Sequence, residues 1–390
     1  NTLVQNNIVR IVVNGAIRLQ QATNQFPTNS VASGTFANDN LVNDNRCLNC
    51  NIGVDVRQSG FAGVTNNTVT NARYGIYFGD CRIENRSSAA YKVISGNSLA
   101  VRQWGIWFNL YRATPYAVSN NTITAVAEAS RTEWFGVMLA NVAMLQNFTN
   151  QNLLPLVATP EYFTFTNNTI DGAGLDPATT GFGYWGWALD NGRNTAGTDH
   201  FTQVTGGSVS NVNYGVMLRN VATVATGAGA DSAFGTASTG AHLVVAGTTF
   251  SVNASGTGFG LLDSSAWTSS NPAPLVNKRN VQLAIGSGVT LSGGATGVSI
   301  SQPASLTYDP IVGGSLGDLA FSGQTGNYVA LTTSDRNLNA IGASFGVGGT
   351  VDSAAEGLAV EDKIVHKLDT AALGLVRVKA GELYVTSNSG

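Results

Sequence analysis

The chain has 390 residues, of which 46 are glycine and only 11% are charged, and its formal net charge is −3 at pH 7. This charge gives no electrostatic reason to expect a nucleic-acid partner, and the sequence has no run of about 18 apolar residues that would cross a membrane. The composition is typical of a repetitive, secreted β protein. The chain begins at Asn1 without a signal-like segment, which favours a processed or excised piece of a longer protein.

All three cysteines, Cys47, Cys50 and Cys81, lie in the first quarter of the chain. Cys47 and Cys50 have the spacing of half a zinc site or of a redox pair. Zinc would need further cysteine or histidine ligands nearby, and a redox pair would need a helix start, whereas this region reads as strand and turn. We predict no metal here, and either buried thiols or one disulfide between neighbouring repeats.

A short motif recurs along the chain, in which a bulky or aromatic residue precedes glycine and alternating apolar residues. Clear copies begin at Tyr74, Trp104, Phe135, Trp185 and Tyr214. A second motif, a pair of polar residues before a β-branched residue, alternates with the first. Its copies begin at Asn66, Gly96, Asn120 and Asn167. The spacing of about 30 residues indicates one structural unit repeated many times.

The repeated motif predicts stacked strands. Side chains alternate along an extended strand, so Tyr74, Ile76 and Phe78 are predicted to face the interior, and Tyr77 to face outward. Parallel pairing of successive repeats would align such residues in columns and would place the Asn pairs in turns.

The position two residues after the motif glycine predicts an outward stripe of side chains. Its members are Tyr77, Trp107, Met138, Ala188 and Met217. A contiguous apolar surface marks a contact site, so the stripe is predicted to stack on a glycan or to pack against another protein, unless a long loop of the chain covers it. Tyr184 and Trp187 join the stripe as candidate binding residues.

Unequal spacing of the motif locates insertions. Gly105 and Gly136 are 31 residues apart, whereas Gly136 and Gly186 are 50 apart. Loops are predicted at about 146–161, 171–200, 221–240 and 264–279, and such insertions commonly cluster on the working face of a solenoid.

The second of these loops is acidic and lies beside aromatic residues. It contains Asp171, Asp176, Asp190, Asp199 and His200. Carboxylates beside aromatic rings are what a glycosidase needs, which makes Asp190, Asp199 and His200 the candidate catalytic residues. We expect solvated or turn-capping roles for these acids, with weak calcium binding as a second alternative and catalysis as a third. No catalytic residue, metal or cofactor is assigned.

The C-terminal segment differs in character. Val360, Ile364 and Leu368 recur at helical spacing, which predicts a helix over 354–370 with His366 on its surface. Residues 374–379 and 382–386 read as a β-hairpin across Ala380 and Gly381.

Over about residues 1–310, the rhythm of Asn167-Asn168-Thr169-Ile170 and Tyr74-Gly75-Ile76 resembles the right-handed parallel β-helix superfamily, the pectate-lyase-like solenoids. The resemblance implies an all-β fold, a right-handed parallel β-helix over 1–353 with a short α/β cap or joint over 354–390. A β-sandwich or propeller fits worse because tight hairpin signals are scarce. The catalytic strings of β-helix polygalacturonases are missing, and only Thr198-Asp199-His200 distantly echoes the pectate lyases.

The stretch from Val360 to Lys379 resembles a segment between modules of large bacterial surface or adhesin-like proteins. With the absent catalytic strings, it predicts a non-catalytic structural or adhesive module, extracellular or at the cell surface. The predicted role is self-association, contact with other surface-protein modules, or building an extracellular layer or filament. A glycan-binding β-helix that takes a polysaccharide is the first alternative, and a polysaccharide lyase or glycoside hydrolase is the second.

Overall fold

A computed structural model describes residues 2–12, 14–20, 40–57, 62–79, 93–109, 112–113, 117–140, 143–144, 163–187, 202–220, 243–263, 283–301, 310–346 and 349–385. Within these ranges the chain is built mostly from β-strands that pair in parallel, which confirms the predicted all-β class and parallel sheets. The predicted loops at about 146–161, 221–240 and 264–279 lie outside the described residues. So do Cys81, Ala188, Asp190, Asp199 and His200.

Each repeat begins with one strand of a nine-stranded parallel sheet, the first ladder. In spatial order its strands are β1 (Thr2–Gln5), β4 (Asn40–Asn43), β7 (Ala62–Thr65), β9 (Val93–Ser95), β12 (Ala117–Ser119), β16 (Phe163–Thr166), β19 (Thr202–Thr205), β21 (Leu243–Ala246) and β23 (Leu283–Ile285). One inward residue of each strand forms a buried apolar column that includes Val42, Val64, Ile94, Val118 and Phe165.

The chain then enters a second ladder. Its strands are β2 (Ile8–Arg10), β5 (Arg46–Leu48), β8 (Thr68–Gly79), β10 (Ser98–Asn109), β13 (Thr122–Ala125), β17 (Thr169–Asp171), β20 (Ser208–Asn220), β22 (Thr249–Asp263), β24 (Val289–Gly293) and β26 (Leu319–Ser322). Each strand pairs in parallel with the strand of the next repeat, so equivalent residues lie directly above one another.

A third ladder completes each repeat. It contains β3 (Gly15–Gln20), β6 (Ile52–Arg57), β14 (Glu133–Ala140), β18 (Thr180–Trp187), β25 (Thr296–Ser301), β27 (Asn327–Leu331), β29 (Ile364–Val365) and the second halves of β8, β10, β20 and β22. Six strands, β10, β13, β17, β20, β18 and β14, therefore form a closed circuit of parallel pairings. The circuit closes because β10 and β20 run through both ladders, whereas the two repeats between them divide the same path into two strands.

The turn between the first and second ladders uses a left-handed backbone in repeat after repeat. Asn6, Asp44, Asn66, Asn120 and Asn167 have φ between 53° and 58°. Gly96, Gly206 and Gly247 take the same position with φ of 67°, 66° and 59°. Asn, Asp and Gly reach this conformation at the lowest cost. The predicted placement of the polar pairs in turns is confirmed.

The next residue of the turn builds a ladder of amides that is buried from Asn45 to Asn168. It is Asn7, Asn45, Asn67, Asn97, Asn121 and Asn168 in successive repeats. The backbone N–H and the Nδ2–H of Asn67 both donate to Oδ1 of Asn97, at 2.9 and 3.0 Å. Because buried amides are costly unless they are hydrogen-bonded, this continuous pairing makes the asparagine positions compatible with the core.

The C-terminal segment differs from its prediction. The helix α1 (Ala354–Glu361) begins at Ser353, whose side chain accepts from the Glu356 N–H in a capping box, and it ends before Asp362. The predicted helix to residue 370 is too long, because Ile364 and Val365 form β29 and pair with β27. A strand satisfies the backbone groups of β27 and still buries Ile364.

The predicted hairpin is also wrong. Residues 376–377 form β30 (Val376–Arg377), which pairs in parallel with β28 (Leu338–Asn339), and residues 382–385 contain no strand. A further short pair joins β11 (Arg112–Ala113) to β15 (Ala143–Met144). Pairing with a strand from the preceding repeat continues the stack, which a local hairpin would interrupt.

His366 is fully buried rather than on a helix surface. Its Nε2 lies 2.5 Å from Glu361 Oε1, and its Nδ1 accepts from the Val376 N–H at 3.0 Å. The side chain therefore ties α1 to β30 as part of the C-terminal cap, defined here as residues 349–385.

Cys47 and Cys50 are buried in the interior as free thiols. Burial raises the pKa of Cys47 to about 12 and that of Cys50 to about 11. This placement matches the buried-thiol alternative for these two residues and is unlike a reactive redox pair, which needs a lowered pKa.

Candidate functional site

The outward side of the third ladder carries two columns of large side chains, which we call the aromatic face. One column contains Tyr74, Trp104, Phe135, Phe182 and Tyr214. The other contains Tyr77, Trp107, Met138, Trp185 and Met217. Phe135, Phe182, Trp185 and Met217 form a buried cluster that is separate from the main interior.

The first of these columns was predicted to face the interior and does not. A Cβ built on Gly75 would lie 3.2 Å from the Leu99 and Val101 side chains, so this glycine faces inward. Ile76 faces inward as well, because it belongs to the main interior. Two consecutive inward residues shift the alternation by one place, and the aromatic residue before the glycine consequently faces out.

The register in the sixth repeat also differs from the motif. Phe182 pairs with Phe135, and Trp185 pairs with Met138, so Gly183 occupies the place that the motif gave to Gly186. Tyr184 is therefore an interior residue, 5.7 Å from the Phe165 ring, and burial raises its pKa. Trp185 takes the outward position predicted for Ala188.

The remaining candidate in this repeat, Trp187, lies at the end of β18. Its backbone pairs with Ala140 and Arg219. The position belongs to the same ladder as the aromatic face.

The rings of the aromatic face stack across repeats. Tyr74 and Trp104 have ring centroids 4.6 Å apart at an interplanar angle of 25°. Phe182 stacks on Phe135 at 4.9 Å and on Tyr214 at 5.1 Å. Parallel strands are separated by about 4.8 Å, which is close to the spacing that offset aromatic stacking prefers. Stacked rings at this position thus follow from the strand geometry.

The stripe is more buried than predicted. Tyr77 is only 8% exposed and Met217 only 1%, whereas Trp107 and Met138 are half-buried. The rings shield one another, and the Arg57 guanidinium lies over the Tyr77 ring at 4.9 Å. The accessible part of the aromatic face is therefore centred on the half-buried Trp104 and Trp107.

Two indole N–H groups at this centre have no acceptor. Nε1 of Trp104 and Nε1 of Trp107 are both buried, and no described residue accepts a hydrogen bond from either. Trp134, by contrast, donates to the Val101 carbonyl at 3.2 Å. An unpaired buried donor costs about 1–3 kcal/mol.

Sequence reasoning missed an ion triad at the N-terminal end of the same face. Asp55 is fully buried, with Oδ2 2.7 Å from Arg18 Nη2 and Oδ1 2.8 Å from Arg57 Nε. Asp55 pairs in register with Tyr77, so the triad continues the second column. The sequence signal for this triad is a single carboxylate, that of Asp55, in a valine-rich strand. The triad holds Arg57 over the Tyr77 ring.

The described acids of the loop after β17 act locally. Asp171 accepts from the Ala173 N–H at 3.0 Å and from Asn211 Nδ2 at 2.7 Å, which is a turn-capping arrangement. In the part of the chain that the structure describes, no group of three His, Cys, Asp or Glu side chains is placed to hold a metal ion. No helix of this part is long and apolar enough to cross a membrane.

The first repeat lies at the N-terminal end of the described stack. Strands β1, β2 and β3 of the first repeat pair with β4, β5 and β6, and no described strand pairs with their other side, which we call the open edge. Leu3, Ile8 and Ile11 are 61%, 59% and 81% exposed. The interior residues of this repeat, which include Val4 and Val9, are only half-buried.

The C-terminal end of the stack is closed. Val360 of α1, Ile364 of β29 and Val376 of β30 are all buried against the last repeats. Lys363 Nζ donates to the Gln324 carbonyl at 2.8 Å and lies over the Tyr328 ring. Among the described residues, the cap therefore covers the C-terminal end of the interior.

Comparison with models of known protein families, with characterised proteins and with solved structures found no significant match to this chain.

Proposed function

We propose that the chain is a non-catalytic structural module of a secreted or cell-surface protein, a right-handed parallel β-helix that self-associates through exposed strand edges and apolar side chains. The observation that carries this proposal is the regular stacking of the repeats. Equivalent residues align in three ladders from repeat to repeat, which is the arrangement of a solenoid. The right hand is the one that crossovers between parallel strands adopt almost without exception.

The open edge has the properties of an association surface. It combines unpaired strand edges, which template further strand pairing, with the exposed side chains of Leu3, Ile8 and Ile11. Covering an exposed Leu or Ile contributes about 1.5–3 kcal/mol. The buried Asp55 of the aromatic face is engaged in ion pairs with Arg18 and Arg57, which fits a structural role.

Size in solution, measured by light scattering over a range of concentrations, tests this proposal. We expect the chain to associate as its concentration rises, and Ile8→Glu to shift it to monomer. Ile8 lies next to Arg46 in register, so the new carboxylate gains a cation and the fold is kept. Val385→Glu, at a position 57% exposed at the other end, is the matched control. A chain that stays monomeric throughout would overturn the proposal.

Glycan binding at the aromatic face is the second candidate function. The half-buried rings of Trp104 and Trp107 favour it, because sugar faces stack on aromatic rings. Trp107→Ser removes one ring, so we expect a several-fold loss of affinity for any glycan found on an array. Calorimetry would measure it, with Ile8→Glu as the control; an unchanged affinity would count against this site.

A further inference from the structure

We propose that the C-terminal cap is an acid-sensitive closure, in which a proton added to Nδ1 of His366 releases β30 from the last repeats. This closure is independent of the proposed self-association, because it concerns only the cap. His366 is fully buried, and its two ring nitrogens have different hydrogen-bond partners. These partners determine which nitrogen carries the proton and what a second proton does.

The backbone of β30 fixes the protonation state of the closed ring. The Val376 N–H donates to His366 Nδ1 at 3.0 Å, so Nδ1 carries no proton. In a histidine, the hydrogen bond made by one ring nitrogen decides whether the other nitrogen is protonated. The proton of the neutral ring is therefore on Nε2, which lies 2.5 Å from Glu361 Oε1 and donates to it.

A second proton has no suitable place in the closed cap. Because Nε2 is already protonated, the added proton must go to Nδ1, toward which the Val376 N–H points. Two donors would then face each other, and the Val376 N–H would lose its acceptor. His366 and Val376 are both buried, so water does not replace the lost hydrogen bond. The protonated ring therefore favours an open cap, in which Nδ1 faces solvent.

The strand that His366 holds is short. The pairing of β30 with β28 covers only two residues of each strand. The side chain of Val376 belongs to the main interior, where it is packed with the residues of the last repeats. Loss of the bond to His366 therefore weakens a strand that has little other backbone pairing, and release of this strand exposes apolar surface.

The charged groups around the ring act on the same balance. Glu361 of α1 faces Nε2 and favours the charged ring, whereas Asp369 accepts from the backbone N–H of His366 at 2.9 Å and holds the turn after β29. Lys363 donates to the Gln324 carbonyl. The other charged residues of the neighbouring segments are the exposed Asp335, Asp362, Lys367 and Arg377 and the half-buried Arg336.

The pH range of the opening follows from the open state. A histidine in contact with water gains its proton near about pH 6.5. The open cap binds a proton that the closed cap disfavours, so closure is complete above this pH and is lost as the pH falls below it. Glu356 of the capping box is a second acid-sensitive group. Hydrogen bonds from the Asp352 and Ser353 N–H groups lower its pKa, so it gains its proton at a lower pH than an ordinary carboxylate.

The fluorescence of a hydrophobic dye, measured on the intact chain between pH 8 and pH 4, tests this proposal. Far-UV circular dichroism checks that the strands are retained. We expect dye binding to rise reversibly as the pH falls through about 6.5. His366→Asn keeps an acceptor oxygen toward Val376 but does not titrate, so it should bind no dye in this range. It also separates His366 from the other two histidines of the chain, His200 and His242.

Glu361→Gln is the second variant. The amide keeps an acceptor for Nε2 but removes the charge that favours the protonated ring in the closed cap, so we expect opening at a pH about one unit higher. Asp362→Asn removes the same charge from the exposed neighbouring residue and is the matched control, which should open at the native pH.

Three results would overturn the proposal: a native chain that binds no dye down to pH 4, a His366→Asn chain that opens at the native pH, or equal opening pH values for Glu361→Gln and Asp362→Asn. If His366→Asn already binds the dye at pH 8 because its cap does not close, the comparison between Glu361→Gln and Asp362→Asn decides. Light scattering of the native chain at neutral pH tests the self-association separately.

Discussion

One inward position of the third ladder holds glycine in most of the described repeats, for a steric reason. A Cβ at Gly75, Gly105 or Gly215 would lie 2.5, 2.4 or 2.7 Å from the carbonyl oxygen of the equivalent glycine in the next repeat. None of these glycines has a positive φ, so close approach of stacked backbones, rather than backbone conformation, requires the missing side chain. Because this glycine faces inward, the aromatic residue that precedes it faces outward.

Gly105→Ala is expected to lower the free energy of unfolding by about 1–3 kcal/mol, because overpacking a filled interior forces the backbone to shift. The new methyl would meet Gly136 O and Ile123 Cγ2, both at 2.4 Å. Urea unfolding followed by circular dichroism measures the change. Gly346→Ala, where the nearest atom is the Tyr328 hydroxyl at 3.3 Å, is the control and should cost much less. Equal unfolding midpoints for the two variants would contradict the steric argument.

The C-terminal cap is an element whose function is to close the interior. Gly357 of α1 packs against the Tyr384 ring, and Val360 is fully buried. Because a strand edge that faces water templates aggregation, covering the last repeat with a helix and short strands protects that end of the stack. The open edge has no such cover among the described residues.

Val360→Asp is expected to detach the cap. An unpaired carboxylate at a fully buried position costs several kcal/mol, and release of α1 would expose apolar surface of the last repeats. Binding of a hydrophobic dye and a lowered unfolding midpoint measure the effect. Ala359→Asp places the same charge on the exposed neighbouring residue and should change neither quantity. If the Val360→Asp chain neither binds the dye nor unfolds at a lower midpoint, the prediction that the cap detaches is wrong.

At the scale of the whole molecule, a single interior runs from Ile17 in the first repeat to Tyr384 in the cap. Among the ionisable groups buried along it, Cys47, Cys50 and Tyr184 have raised pKa values because burial disfavours their charged forms. They remain protonated in the folded chain at a pH where the unfolded chain has lost protons.

Stability is therefore expected to fall as the pH rises above about 9. The unfolded thiols lose their protons near pH 9, whereas the folded thiols hold them to about pH 12 and 11. Between these pH values the unfolded chain binds fewer protons, so raising the pH lowers its free energy relative to that of the folded chain. The loss is about 1.4 kcal/mol per thiol for each pH unit. Urea unfolding at pH 9 and pH 10 measures it. The double variant Cys47→Val, Cys50→Ala should have a flatter profile, and an identical profile would refute the assignment.

The candidate site was only partly predictable. Trp107 and Met138 were identified by their spacing from the motif glycine and do lie on the outward face. Tyr184 was assigned to the site by proximity in sequence and is interior, because the register in its repeat is set by Phe182 and Trp185 stacking on the repeat before. The Asp55 triad requires Arg18 from the neighbouring repeat, and no local sequence pattern predicts that contact.

The sequence by itself determined the repeat, the parallel strands and the turns, because these depend on local properties: the period of apolar residues and the left-handed backbone that Asn, Asp and Gly accept. Which way the aromatic residues face and how His366 is buried depend instead on the tertiary structure, because the neighbouring repeat determines what lies above each residue. The inward glycine, for example, is needed where the backbone of the next repeat approaches it closely.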